Sequence, residues 1–237
     1  MEVLIIGDLH GEGIKIEGIP DMAVQVGDIS NYGELDVVGE VILDLVAQLD
    51  PIPLLVIPGN HDLYGENSLK KLEKFNKTVK EAGAITLMGG PLIINDVGFV
   101  GVMGWYDYSF APEYLNLPKE AYRVKAFGLR RLEDAKYINL PSSDEEFLEW
   151  NLELLEEFIE RIRDDTSILV LVTHFAPFRG SLRYTGNPEI DYFAAYMGSK
   201  KLGALALKLD VNLIIHGQYP QERGILGERD KNCKCGV

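Results

Sequence analysis

The chain has 237 residues, of which 46% are apolar and 25% are charged, and this length and composition suit one large soluble domain or at most two small ones. Its 37 acidic and 23 basic residues give a formal net charge of −14 at pH 7, which argues against a broad surface for nucleic acid or for an anionic membrane. Because the sequence has neither a signal peptide nor an apolar run of about 18 residues, we expect a cytoplasmic protein without a membrane span.

The first half of the chain alternates predicted strands and helices. Runs rich in Val, Ile and Leu predict strands that are buried on both faces, at 3–10, 22–30 and 54–62. Apolar residues at helical spacing predict helices at 34–49 and 68–83. We expect Ser68 to cap the second of these helices and Gly83 to end it.

The second half continues with a predicted hairpin at 91–105, with Asp96 in its turn, and with a helix at 142–165 that has serine caps and an acidic first turn. Two further buried strands are predicted at 168–175 and 211–218. This alternation predicts an α/β fold with helices outside a β core, built as a single domain over 1–237.

The segment 105–141 is aromatic and only weakly periodic. It is either a cap or insertion over a site or a long irregular connection. Trp105 and Tyr106 at its start either line a substrate pocket or belong to the core, and the sequence leaves both alternatives open.

Ionisable residues and one asparagine lie directly after the predicted strands. They are Asp8, His10, Asp28, Asn60, His61, Asp62, His174 and His216, and they include all four histidines of the chain. Because ligands of α/β proteins gather at the carboxyl ends of strands, a single site is a better explanation than four unrelated histidines.

The chemistry of these residues suits divalent metal ions. Carboxylate oxygens and an Asn carbonyl, mixed with neutral imidazoles, are ligands for Mn²⁺, Fe²⁺, Zn²⁺ or Ni²⁺. In an extended segment Asp8 and His10 would point the same way and could reach one ion. Asp28, from a separate element, is free to bridge to a second ion. Two ions about 3.5–4 Å apart would bind a phosphoryl group and activate a water.

Four motifs together resemble the calcineurin-like metallophosphoesterase family. They are GDLHG at 7–11, GD at 27–28, GNHD at 59–62 and TH at 173–174. This resemblance implies a four-layer α/β/β/α sandwich and a dinuclear metal site in which a metal-bound hydroxide attacks the phosphoester.

Carried over by position, the resemblance also implies a role for each residue. Asp8 and His10 resemble ligands of the first metal, and Asp28 resembles the bridging ligand. Asn60 and His174 resemble ligands of the second metal. His61 is similar to the residue that stabilises the transition state or protonates the leaving oxygen, and Asp62 is expected to orient it.

The chain departs from the family at its end. A G-H-x-H motif usually supplies one imidazole to each metal, but here Gln218, Tyr219 and Pro220 follow Gly217. Gln218 offers an amide oxygen, at best a weak ligand, and we expect weak or partial metal occupancy. His216 precedes the glycine, so we expect it to be structural or to contact a ligand. Residues 218–237 form a divergent tail.

Two further sets of residues either have a function at the site or have none. Arg179 and Arg183 either contact a substrate phosphate or are solvated loop charges. Cys233 and Cys235 form a C-x-C without companion ligands nearby, which favours incidental thiols over a metal site.

Two hypotheses of different class follow. The first is a metal-dependent phosphoesterase that hydrolyses phosphomonoesters or phosphodiesters of a small phosphorylated substrate. The alternative is a catalytically weakened or inactive scaffold or binding module of the same fold, which the loss of G-H-x-H favours. A nuclease is disfavoured by the net charge of −14.

Overall fold

The structure is a computed structural model that describes residues 1–218. Its first sheet has four strands, all parallel and in the order of the chain. These strands are β1 (Val3–Ile6), β2 (Met22–Gln25), β3 (Leu54–Val56) and β4 (Ile85–Thr86). The carboxyl ends of β1, β2 and β3 therefore lie at one edge, which is where the sequence predicts the site.

The second sheet has the strand order β10–β9–β6–β5. Its strands are β5 (Leu92–Ile94), β6 (Val97–Gly101), β9 (Ile168–Thr173) and β10 (Leu213–His216). Strands β6, β9 and β10 are parallel, whereas β5 and β6 form an antiparallel hairpin. Asn95 and Asp96 form its turn with φ of 49° and 65°, which confirms the predicted hairpin and the position of Asp96.

The described residues also contain seven α-helices. They are α1 (Leu35–Leu49), α2 (Ser68–Glu81), α3 (Lys119–Arg123), α4 (Asp134–Tyr137), α5 (Asp144–Ile162), α6 (Pro188–Asp191) and α7 (Lys200–Lys208). Among residues 1–218, no helix combines the length and the apolar character needed to cross a membrane.

The helix ends follow the sequence with one correction. Ser143 caps α5 in a reciprocal capping box with Glu146, as the serine and the acidic first turn predict. The N-cap of α2 is Asn67 rather than Ser68, because the Asn67 side chain accepts a hydrogen bond from the Lys70 amide. Gly83, at φ 89°, follows the end of α2 as expected.

Side chains of the first sheet alternate between two cores. Met22 and Val24 belong to the larger core, which also contains the buried residues of the second sheet and of α5. Ala23 belongs to a smaller core with side chains of α1 and α2, such as Ile42 and Phe75. The α/β class predicted from the sequence is confirmed, while the order of four layers stays a prediction.

The segment 105–141 contains α3, α4 and a two-stranded sheet of β7 (Ala126–Phe127) and β8 (Arg130–Arg131). Trp105 and Tyr106 are fully buried at its start, so they belong to the core. The Trp105 indole donates to Asp144 at 2.9 Å, which ties the start of the segment to α5.

Candidate metal centre

Two loops at the ends of β1 and β2 form the floor of the site. The amide of Asp8 donates to the Gly27 carbonyl at 3.2 Å, and that of His10 donates to the Asp28 carbonyl at 2.9 Å. Asp8 and His10 adopt φ of 49° and 50°, so they lie in a left-handed loop. The expectation that they belong to an extended segment is wrong; their backbone amides instead pair with the loop that carries Asp28.

The floor of the site depends on glycine. Gly27 has φ 99°, and a Cβ there would lie 2.5 Å from His174 Nδ1. A Cβ on Gly59 would lie 2.1 Å from the Asp28 carboxylate. Both distances are far below van der Waals contact, so glycine allows the loops to approach this closely. Asp28 itself has φ 55°, a conformation that costs free energy and is typical of functional sites.

Asp28 is the residue that the other candidate ligands share. Its carboxylate lies 3.9 Å from His10 Nε2, 4.0 Å from His61 Nε2 and 3.5 Å from His174 Nε2. Two groups of potential ligand atoms result, each with all atoms within 4.8 Å of one another. One consists of His10, Asp28 and His61, and the other of Asp8, Asp28 and His174. The sequence instead grouped Asp8 with His10 and left His61 outside the ligands.

His174 and Asn60 direct lone pairs toward the same point as Asp28. His174 Nδ1 lies 2.8 Å from the Val26 carbonyl, which can only accept, so Nδ1 carries the proton. In the neutral ring Nε2 then carries a lone pair. This atom lies 3.2 Å from Asn60 Oδ1 and 3.5 Å from Asp28 Oδ1. Three acceptors around one point are the arrangement that a cation stabilises.

Asp134 fixes the orientation of the Asn60 amide. Its carboxylate accepts from Asn60 Nδ2 at 2.8 Å, from the Tyr64 hydroxyl at 2.7 Å and from the Tyr106 hydroxyl at 2.9 Å. Because the amide nitrogen donates to Asp134, the amide oxygen must face His174. Asp134 is not among the residues predicted from the sequence, because no local pattern in the weakly periodic segment distinguishes it from the adjacent Glu133.

His61 and Asp62 lie side by side but act on different partners. His61 Nδ1 lies 2.9 Å from the Asn31 carbonyl, so Nδ1 donates and Nε2 is left facing Asp28. The Asp62 carboxylate instead accepts from the amides of Ser30 and Gly59, at 2.8 and 2.9 Å. The expectation that Asp62 orients His61 is therefore corrected: the Asn31 carbonyl does so, while Asp62 joins two loops of the site.

Two buried polar atoms at the site have no hydrogen-bond partner among the described residues. They are His10 Nδ1 and Gln218 Oε1. The Gln218 amide nitrogen contacts Met197 Sδ at 3.6 Å, and its side chain lines a cavity together with Asn60 and His61. An unpartnered buried acceptor is unfavourable, so Gln218 Oε1 fits a role as a metal ligand, whereas His10 faces Asp28 through Nε2. Tyr219, Pro220 and the two cysteines lie outside the described residues.

The electrostatics of the cluster also fit a cation. Burial raises the pKa of Asp28 to about 6; His174 opposes this rise and the Asp8 carboxylate adds to it. Burial alone would lower the pKa of His174, but Asp28 and Asp8 outweigh it and raise that pKa. A divalent cation among these groups would favour the ionised carboxylates and the neutral imidazole. The donors present therefore fit a metal ion.

The remaining sequence candidates lie outside this cluster. His216 Nε2 lies 3.1 Å from the Ser181 hydroxyl, and burial lowers its pKa, which agrees with a structural histidine. Arg179 pairs with Glu113 at 3.0 Å, so its guanidinium already has an anionic partner. Arg183 is exposed on the same loop.

The comparisons with known proteins agree with this geometry. The family model for calcineurin-like phosphoesterases matches residues 1–217. The crystal structure of the phosphopantetheinyl hydrolase PptH from Mycobacterium tuberculosis is similar, with a TM-score of 0.75 at 18% identity, covering 96% of this chain and 86% of that one. No curated protein matches the chain.

A putative 5′-nucleotidase from Staphylococcus aureus, solved in complex with α-ketoglutarate, gives a TM-score of 0.47 at 10% identity. That match covers 91% of this chain and 44% of the nucleotidase. At 18% identity the PptH structure shows the fold alone, whereas the family model spans nearly every described residue. The chain belongs to the calcineurin-like phosphoesterase family.

Proposed function

We propose that this protein hydrolyses phosphomonoesters or phosphodiesters at a site for two divalent cations that share Asp28. The single observation that carries the proposal is the convergence of three imidazole Nε2 atoms on one buried carboxylate, within 4.0 Å. Family membership supports a metal-dependent phosphoester hydrolase in general. The number of metals and the role of each residue are the specific content of the proposal.

Each ligand has an assigned place in this proposal. As the family resemblance implies, Asp8 and His10 would hold the first cation together with Asp28, although the ligand atom of Asp8 groups with Asp28 and His174. Asn60 and His174 would hold the second cation together with Asp28. Gln218 would be a weak additional ligand of the second. When bound, such a pair of divalent cations lowers the pKa of a coordinated water and neutralises charge on the phosphoryl group. Mn²⁺, Fe²⁺, Zn²⁺ and Ni²⁺ all suit these oxygen and nitrogen donors.

His61 would supply the proton for the leaving oxygen. The Asn31 carbonyl keeps the Nδ1 proton in place, so Nε2 is the ring atom that faces the site. Its position beside Asp28 leaves it within reach of a phosphoester held there. Asp62 would act through the backbone, because it joins the loop that carries Asp28 to the loop that carries His61.

The substrate would be small, phosphorylated and cytoplasmic. A net charge of −14 disfavours long nucleic acids and anionic membranes as partners, since both carry many negative charges. The cavity beside Asn60 and His61 has a volume of about 450 Å³, a size that suits a small ligand.

The competing proposal is a scaffold or binding module that uses the same fold. It is favoured by the replacement of the expected G-H-x-H imidazoles with Gln218 and Pro220. A damaged site would bind metal weakly and would release little phosphate even at high metal concentration.

One experiment separates the two proposals. The purified chain is analysed for bound metals, then tested with p-nitrophenyl phosphate and bis-p-nitrophenyl phosphate at increasing Mn²⁺. Hydrolysis that rises with metal occupancy and is lost in Asp28→Asn supports the enzyme. Weak metal binding, with no hydrolysis of either ester even at the highest Mn²⁺ concentration, would support the scaffold.

A further inference from the structure

The cavity beside the candidate metal centre has a basic part that takes no part in the proposed hydrolysis. Asn60, His61 and Gln218 line it, and Arg130 and Arg131 of strand β8 line it as well. Both arginines come from the segment 105–141, which the sequence suggested as a cap. The cavity therefore joins the metal ligands to a hairpin at the edge of the site.

Four of the other five arginines in residues 1–218 take part in ion pairs, and Arg183 is the exception. Arg123 and Arg179 pair with Glu145 and Glu113 at 2.9 and 3.0 Å. Within residues 1–218, neither Arg130 nor Arg131 has an ion-pair partner, although acidic residues outnumber basic ones by 37 to 23 over the whole chain. Arginines that form no ion pair with a carboxylate of the protein can bind an anionic ligand, because the guanidinium fork matches carboxylate and phosphate oxygens.

Other residues line the cavity between the metal ligands at one end and the two arginines at the other. Leu132, Phe193 and Met197 provide apolar surface, and Glu133 is the acidic residue that lines it. Glu133 is exposed, so solvent screens its carboxylate. A ligand that fits has an anion at each end and an apolar portion between them.

We propose that Arg130 and Arg131 form a subsite for a second anionic group, a carboxylate or a phosphate, on the leaving part of the substrate. The apolar residues contact the portion that joins this group to the scissile phosphate. This inference rests on the proposed function, because it takes the scissile phosphate to lie at Asp28. It narrows the substrate class to phosphoesters with two anionic ends.

Equilibrium binding tests the subsite without requiring turnover. Three non-hydrolysable probes are titrated calorimetrically into the Mn²⁺-loaded full chain: phenylphosphonate, 4-carboxyphenylphosphonate and benzene-1,4-bisphosphonate. The parent should bind both doubly anionic probes about tenfold more tightly than phenylphosphonate, as expected for charge-assisted contacts that are partly screened. A preference for only one of the two tells whether the second group is a carboxylate or a phosphate.

The matched variants are Arg130→Ala/Arg131→Ala and Lys77→Ala/Arg161→Ala, which remove the same charge. Lys77 and Arg161 each pair with a glutamate of their own helix and do not line the cavity. The first variant should lose the preference and bind phenylphosphonate within twofold of the parent, whereas the second should retain it. Because Arg131 also borders a neighbouring cavity with Asp144 and Glu145, Arg130→Ala alone gives the sharper result.

Three outcomes overturn the subsite: an unchanged preference in the arginine variant, an equal loss for all three probes, or no binding of any probe by the parent. Hydrolysis of p-nitrophenyl phosphate is measured separately. If it is absent while the arginine-dependent preference remains, the proposed function fails and the subsite stands.

Discussion

The carboxylate of Asp134 accepts a hydrogen bond from the Asn60 amide nitrogen at 2.8 Å, although 74 residues separate the two. This contact turns the amide oxygen toward His174. A residue of the weakly periodic segment therefore sets the direction of a candidate metal ligand.

Asp134→Asn should weaken binding of the second metal by about 10–100-fold, the usual cost of losing a residue that orients a ligand. Mn²⁺ titration of the purified variant measures this, and thermal unfolding shows how much stability is lost. Glu133→Gln, at the adjacent exposed position, is the matched control. Tyr64→Phe removes one donor to Asp134 and the 3.4 Å contact of the Tyr64 hydroxyl with Asn60 Nδ2, but it keeps the hydrogen bond from Asn60 to Asp134 and should have a smaller effect. Parental metal affinity in a folded Asp134→Asn protein would contradict the role given to Asp134.

Asp28→Asn should be the most damaging single change among the ligands, because Asp28 belongs to both groups of potential ligand atoms. Metal content and hydrolysis should fall together, and elemental analysis with a phosphate-release assay measures both. Asp8→Asn, which alters one group only, should retain part of the metal. The shared role is wrong if Asp28→Asn keeps near-parental activity while Asp8→Asn abolishes it.

His61→Ala should lower turnover by about 10²–10⁴-fold, the range expected for loss of a general acid. Metal stoichiometry should stay close to that of the parent if His61 acts on the leaving oxygen. The position of His61 beside His10 and Asp28 makes the stoichiometry the decisive measurement. Loss of metal in this variant would assign His61 to the ligands instead.

Gln218→His should raise metal affinity by on the order of tenfold, because an imidazole is a stronger donor than an amide oxygen for these ions. The unpartnered amide oxygen of Gln218 and its place in the cavity with Asn60 and His61 favour this result. The double variant with Pro220→His, whose second position lies outside the described residues, should gain more. Hydrolysis at low Mn²⁺ is the measurement, and Gln218→Leu is the control. An unchanged metal affinity in both histidine variants would show that this loop does not contribute a ligand.

The sequence predicted where the site lies because buried strands and the residues after them are local features. The Val, Ile and Leu runs located β1, β2, β3 and β9, and Asp8, Asp28 and His174 follow three of them as expected. The helix over 144–162 was equally clear, since its capping box and apolar spacing lie within one segment.

The parts that the sequence did not predict depend on contacts between distant segments. The left-handed φ of Asp8 and His10 results from pairing with the loop of Asp28, which no local propensity encodes. The sequence predicted His61 as the partner of Asp62 because the two are neighbours, whereas the amides of Ile29 and Ser30, in a separate loop, donate to the Asp62 carboxylate. Asp134 was not predicted from the sequence because its contact with Asn60 also joins distant segments.

The hydrogen bond from His174 to the Val26 carbonyl spans 148 residues and connects the loop after β2 with the end of β9. During synthesis, a nascent chain can complete its first sheet and the ends of β1, β2 and β3 long before His174 leaves the ribosome. Until β9 docks, Asp28 has only the histidines of the N-terminal loops beside it. Under the proposed function, complete metal binding would therefore require β9, and a truncated chain that ends before His174 would lack one ligand of the site.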